Sequence, residues 1–159
     1  MGDYPDFGIA KDVFQMGQVG GNLYVEQVFG QEVNPHESHY LVNVTGKGAL
    51  LAWTCGIMDT SSYPSGNDHR FYVTVDRDFF PQAKFITMEM LYEYLCLREP
   101  ILELPYAARY DTTSDNGYFN IVWVFNTPVR FTEKMFIKYE NVGTEKVMLV
   151  YMVLYTKEE

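Results

Sequence analysis

The sequence predicts a mainly β protein, a single-domain, jelly-roll-like antiparallel β-sandwich with one short helix at about 87–98. Three observations predict it. Tyr, Phe and Trp make up 16% of the 159 residues, and aromatic side chains fit pleated, half-buried surfaces. Apolar residues recur at every second position in several runs, the period of a strand with one face inside. Clusters of Gly, Pro, Asn, Asp and Ser separate those runs at the spacing usual for sandwiches. A chain of this length buries roughly 70% of its unfolded surface and needs no disulfide or metal to hold it.

Residues 1–21 hold isolated aromatics (Tyr4, Phe7, Phe14) with no sustained period, which predicts an extended N-terminal arm ahead of a sandwich over 22–159. Asn22–Phe29 reads as a strand ended by Gly30, and Pro35 places 33–37 in a loop. Ser38–Thr45 alternates, with Tyr40, Val42 and Val44 on one face and His39, Leu41, Asn43 and Thr45 on the other. Ala49, Leu51, Trp53, Cys55 and Ile57 share a face of the next run. The short Thr45-Gly46-Lys47-Gly48 between them reads as a hairpin corner, with both glycines at positive φ.

After the turn-rich stretch 59–68, Phe71, Val73 and Val75 define another strand. Residues 87–98, TMEMLYEYLCLR, carry helix formers and a Thr start signal, yet their alternation also fits a strand. Pro100 after them favours the helix. Phe119, Ile121, Trp123 and Phe125 form one face of a strand, Asn126-Thr127-Pro128 reads as a turn, and β character resumes over 129–131 and 133–140. Asn141-Val142-Gly143-Thr144 reads as a second hairpin turn.

The last strand, KVMLVYMVLY, is apolar on both faces. Val147, Leu149, Tyr151, Val153 and Tyr155 alternate with Met148, Val150, Met152 and Leu154. A two-sheet sandwich buries one face of a strand, so the other needs a cover, either the 87–98 segment or a neighbouring copy. This makes Met148, Val150, Met152 and Leu154, with Tyr4, Phe7 and Phe14 of the arm, the expected partner interface.

Charge and motifs exclude several functions. The net charge of −9 and the absence of a basic run argue against direct nucleic-acid binding. No apolar run reaches the length of a membrane span, and the first residues lack the basic and apolar regions of a signal peptide, so synthesis and folding in a cytosol are expected. Cys55 and Cys96 sit in apolar surroundings and read as buried thiols. Gly46-Lys47-Gly48 lacks the spacing of a phosphate loop, and a strand rather than a helix follows it.

His36 and His39, with Glu32 and Glu37, make an HxxH that Pro35 removes from any helix, so no metal or other cofactor is expected. The acidic loops 59–68 and 111–116 lack the alternating ligands of a calcium loop. Glu89, Glu93, Glu99 and Glu103 are the first carboxylates to inspect for glycoside cleavage, and read more simply as a solvated face, so no catalytic residue is assigned. Tyr106, Tyr110 and Tyr118 cluster where a sugar-stacking platform could lie.

The succession VTGKGALL, FYVTVD, VRFTEKMFIKYEN and a final apolar strand ending in Tyr resembles jelly-roll accessory proteins of tailed bacteriophage virions, over residues 38–57, 69–76 and 118–155. The resemblance implies a non-enzymatic structural protein of the virion, attached to capsid or tail as a decoration, fibre or adhesion component. It implies a homo-oligomer, a trimer among the options, in contact with other virion proteins, with a host surface glycan as a further candidate partner. A similar cadence occurs in the jelly rolls of some furanoside-cleaving hydrolases, whose catalytic acids do not map onto defined positions here. A carbohydrate-binding or carbohydrate-active sandwich is the alternative expectation.

Overall fold

The computed structural model describes residues 21–61, 64–79, 84–90, 106–111 and 117–159, with the backbone alone for 106–111, 117 and 126. Its strands are β1 (Asn22–Val33), β2 (Ser38–Thr45), β3 (Gly48–Asp59), β4 (His69–Val75) and β5 (Arg77–Asp78). They continue with β6 (Ile86–Thr87), β7 (Tyr106–Asp111), β8 (Gly117–Phe131), β9 (Lys134–Asn141) and β10 (Val147–Lys157). One sheet runs β1-β10-β3-β8-β7 and the other β2-β9-β4-β5, with β6 also paired to β4. Every pairing is antiparallel. The chain changes sheet at each step from β1 to β4 and again from β8 to β10, which is the jelly-roll order.

The inner faces of the two sheets form one core. Leu50, Trp53, Cys55 and Ile57 of β3 meet Phe71 and Val73 of β4 and Ile137 and Tyr139 of β9. Trp53 of the first sheet lies 5.2 Å from Phe71 of the second, centroid to centroid, and Phe71 lies 5.5 Å from Tyr139. Aromatic pairs tilted at these separations add roughly 0.5–1.5 kcal/mol each beyond area burial. The predicted inner faces of β4, of β8 through Phe125, and of β10 are all buried.

Local alternation misassigned the partners of β2 and β3. Thr45–Gly48 is no hairpin corner: β2 pairs with β9 and β3 with β10 and β8, so the chain crosses there from one sheet to the other. A period of two shows which face is apolar, but both members of such a crossing face one core and alternate like a hairpin. Of these two glycines only Gly46 has positive φ, at 122°. Gly48 is needed for close approach instead, because a Cβ there would stand 1.9 Å from the Thr156 carbonyl oxygen. Residues 141–144 are likewise a crossing between sheets, from β9 to β10.

Bulges account for the remaining differences. The register slips between Tyr40 and Val42, so Leu41 and Val42 are both buried while Tyr40 faces solvent. Around Leu51 the register slips again. Leu50 therefore joins the main core, whereas Ala49 and Leu51 pack with Leu154 in a separate small cluster. β1 continues past Gly30 to Val33 through an irregularity between Val28 and Gln31. Asn126-Thr127-Pro128 does not end a strand: β8 runs unbroken over it while four of its residues, 125–128, pass opposite Leu51. Of the helix expected at 87–98, the described part is one turn, Met88–Met90, opened by Thr87 Oγ1 accepting from the Met90 N–H; residues 91–98, Cys96 among them, lie outside the described residues.

Candidate interaction face

The strand pairings carry the alternation of β1, β10, β3 and β8 into rows across the outer face of the first sheet. One row runs Gln27, Met152, Thr54, Val122. The next runs Val25, Leu154, Ala52, Val124. On the other side lies a row of Val150, Gly56 and Asn120, which Phe29 joins at the β1 irregularity. None of these twelve positions, three rows of four, holds a charged side chain.

This face is open to solvent. Phe29 is 79% exposed, Val150 44%, Met58 40% and Met152 37%. Leu23, Val25 and Val124 are exposed beside them. A depression of about 620 Å³ lies toward one side of it, lined by Phe29, Thr54, Gly56, Tyr118, Met148 and Met152 among others. A Cβ at Gly56 would meet nothing nearer than the Val150 carbonyl oxygen at 3.8 Å. Among the described residues, charges return at the margins, where Lys146 Nζ meets Glu32 Oε1 at 3.1 Å and Arg130 stands opposite Ala49. Monomeric surfaces seldom keep an apolar area this continuous without a use for it.

The polar clusters are built differently, because their groups are satisfied by one another. His69, which opens a strand with no partner near it in the sequence, is fully buried and ties the sheets together. Its Nε2 lies 2.9 Å from Asp59 Oδ2 at the end of β3, and its Nδ1 lies 2.7 Å from the Tyr139 hydroxyl on β9. Burial acts to raise the Asp59 pKa, but the hydrogen bonds from His69 and from the Ser61 N–H outweigh it and hold the carboxyl below its ordinary value. Burial pushes the Tyr139 phenol far up, keeping it a donor. The pair is buried, and its hydrogen bonds link β3 of one sheet to β4 and β9 of the other.

Two other clusters are also structural. His39 Nε2 meets the Tyr151 hydroxyl at 2.8 Å, a second link between the sheets, whereas His36 stands in the β1–β2 turn at φ 64° with its N–H on the Asn141 carbonyl. The predicted HxxH thus divides between two tasks, and among the described residues no three His, Cys, Asp or Glu side chains gather as a metal site. Asp76, at φ 62°, accepts from the backbone N–H groups of Thr132, Glu133 and Lys134 and so shapes the β8–β9 turn. Those bonds, led by Lys134, hold its carboxyl down at about 2. Burial pushes the Cys55 thiol up, as expected of an inert core cysteine.

Of the predicted interface, Met148, Val150, Met152 and Leu154 stand together on this face, while Tyr4, Phe7 and Phe14 lie outside the described residues. Tyr118 joins the face opposite Met58. Tyr106 and Tyr110 pair in backbone register with Val122 and Tyr118, and their side chains lie outside what is described. Glu89 packs against Gly66, while Glu93, Glu99, Glu103 and the loop 112–116 lie outside the described residues. The contribution of β1 was missed, although Leu23, Val25 and Phe29 show the same period of two in the sequence.

No family model matches the chain, and a search of curated proteins returns no match. No helix among the described residues is long and apolar enough to cross a membrane.

Proposed function

We propose that this chain is a non-enzymatic structural protein of a virion, capsid- or tail-associated, that works by self-association and contact with neighbouring proteins. The observation that carries the assembly part is the uncharged, solvent-open outer face of the β1-β10-β3-β8 layer. Surfaces that remain apolar over several rows are contact surfaces, and an exposed apolar strand without a partner is an aggregation hazard. The virion assignment rests on the jelly-roll order together with the resemblance of residues 38–57, 69–76 and 118–155 to accessory proteins of tailed phages. The described titratable clusters at His69, His39 and Asp76 are engaged internally, which favours contact over catalysis.

The test is immunogold electron microscopy with antibody raised against the purified chain. Regular labelling of capsids or tails in purified phage particles is the expected result. Particles without label, with the chain recovered only in the unassembled fraction, would remove the virion reading.

A further inference from the structure

We propose that the hollow between the β4–β5 turn and β8 is a binding site for a small monocarboxylate with an apolar body, its acid group held between Arg77 and Arg130 and its body laid on Phe79 and Val129. This site is on a different side of the molecule from the uncharged outer face, and it does not rest on the virion assignment.

The hollow follows from how β5 is tied down. The chain turns back at Asp76, so that Arg77 pairs with Val75 and Asp78 with Thr74, and the Phe79 N–H donates to the Val73 carbonyl at 2.8 Å. The Phe79 ring then reaches across to the first sheet, where it stands edge-on to Trp123 of β8 at 5.4 Å. Further along β8, residues 125–128 bulge opposite Leu51 before pairing with β3 resumes at Val129. A space of about 670 Å³ is left between hairpin and strand, lined by residues 75–79 on one side and by Val129 and Arg130 on the other. Small-molecule sites have volumes of about 300–1,000 Å³.

Charge and polarity select the ligand. Among the described residues, neither the Arg77 nor the Arg130 side chain has a hydrogen bond or an ion pair, although the chain carries a net −9. A guanidinium offers a planar fork of donors that matches a carboxylate or a phosphate. The acidic residues of the hollow decide between those two. Asp76 accepts four bonds, from the N–H groups of Thr132, Glu133 and Lys134 and from the Thr132 hydroxyl, so its lone pairs are spent on the β8–β9 turn. Asp78 accepts from Thr74 Oγ1 at 3.4 Å and stands next to Arg77 in the chain. Two acidic side chains thus accompany two guanidiniums, a balance that admits a singly charged acid more readily than a doubly charged phosphate ester. Phe79 and Val129 are half-buried apolar residues beside the arginines, and they favour a hydrocarbon or aromatic body over a free inorganic anion.

NMR titration of the isotope-labelled full-length chain tests the site, with octanoate and phenylpropionate as probes. Saturable amide shifts confined to residues 75–79, 129 and 130 are expected at low-millimolar probe. Octanamide, which lacks the charge, should bind about tenfold more weakly than octanoate. Arg77→Gln and Arg130→Gln, both at exposed positions, should each weaken octanoate by about tenfold and leave the remaining spectrum unchanged. Lys146→Gln, at the far end of the sheet, should leave the affinity as it is. No saturable shift with either probe, shifts gathered instead around Phe29, Gly56 and Met152, or equal weakening by all three substitutions would overturn the proposal. Tighter binding of octyl phosphate than of octanoate would overturn the choice of a singly charged acid. Unlabelled phage particles alongside intact octanoate binding would remove the virion reading and leave this site standing.

Discussion

The two faces of β10 have nearly the same chemistry and opposite fates. Val147, Leu149, Tyr151, Val153 and Tyr155 point inward and are buried under the second sheet. Met148, Val150, Met152 and Leu154 point outward, and Val150 and Met152 remain open to solvent. Hydrophobicity alone does not separate them. What does is position: β10 sits inside its sheet, between β1 and β3, so one side has the other sheet as its cover and the other has only its neighbours' apolar columns. The inner face is held by the fold of one chain, and the outer face is available to contacts between chains.

Breaking the tie that spaces the two sheets tests the inner face most severely. His69→Ala leaves Asp59 buried without its partner, and loss of one member of a buried pair costs about 3–5 kcal/mol. Chemical denaturation should show that loss in the midpoint, or an unfolded protein; a change below about 1 kcal/mol would mean that the pair does not hold the sheets.

Adjacent residues then compare the faces directly. Leu149→Ala, in the core, should cost about 2–5 kcal/mol. Val150→Ala, measured on dilute monomer, should stay within about 0.5 kcal/mol of the wild type, as surface changes do. Equal effects at the two positions would erase the distinction between the faces.

A smaller effect separates the sheets' polar fastening from their apolar contacts. The Asp76 carboxyl is held at about 2, below its ordinary 3.8, so it contributes stability that is present above about pH 4 and lost as pH falls through about 2. Asp76→Asn should therefore lower Tm at neutral pH and shrink the gap to wild type as the pH approaches 2. A gap that stays constant over that range would show that the charge of Asp76 does not matter.

Much of this contrast was legible in the sequence, because alternation in β10 exposes both apolar columns to inspection. The inner positions of β4 and β8 were legible for the same reason. Partners were not. Thr45–Gly48 looks like a hairpin because a crossing between facing sheets and a hairpin both place apolar residues inward on each side of a turn. The bulges at Leu41 and Leu51 are invisible in periodicity, since an inserted residue shifts the pattern only once a partner strand is known. In the sequence His69 opens a strand with no local partner, because Asp59 and Tyr139 reach it from other strands, one of them 70 residues away. The outer face was half visible: β10 announced it, while Phe29 became part of it only through the pairing of β1 with β10.

If the outer face of β10 is a contact surface, the mass of the chain in solution depends on it. Sedimentation equilibrium of the wild type beside Val150→Glu, which places a charge among the uncharged rows, is the measurement. The account predicts a dimeric wild type and a folded, monomeric Val150→Glu across the same concentrations. A Val150→Glu protein that associates as strongly as the wild type would contradict it.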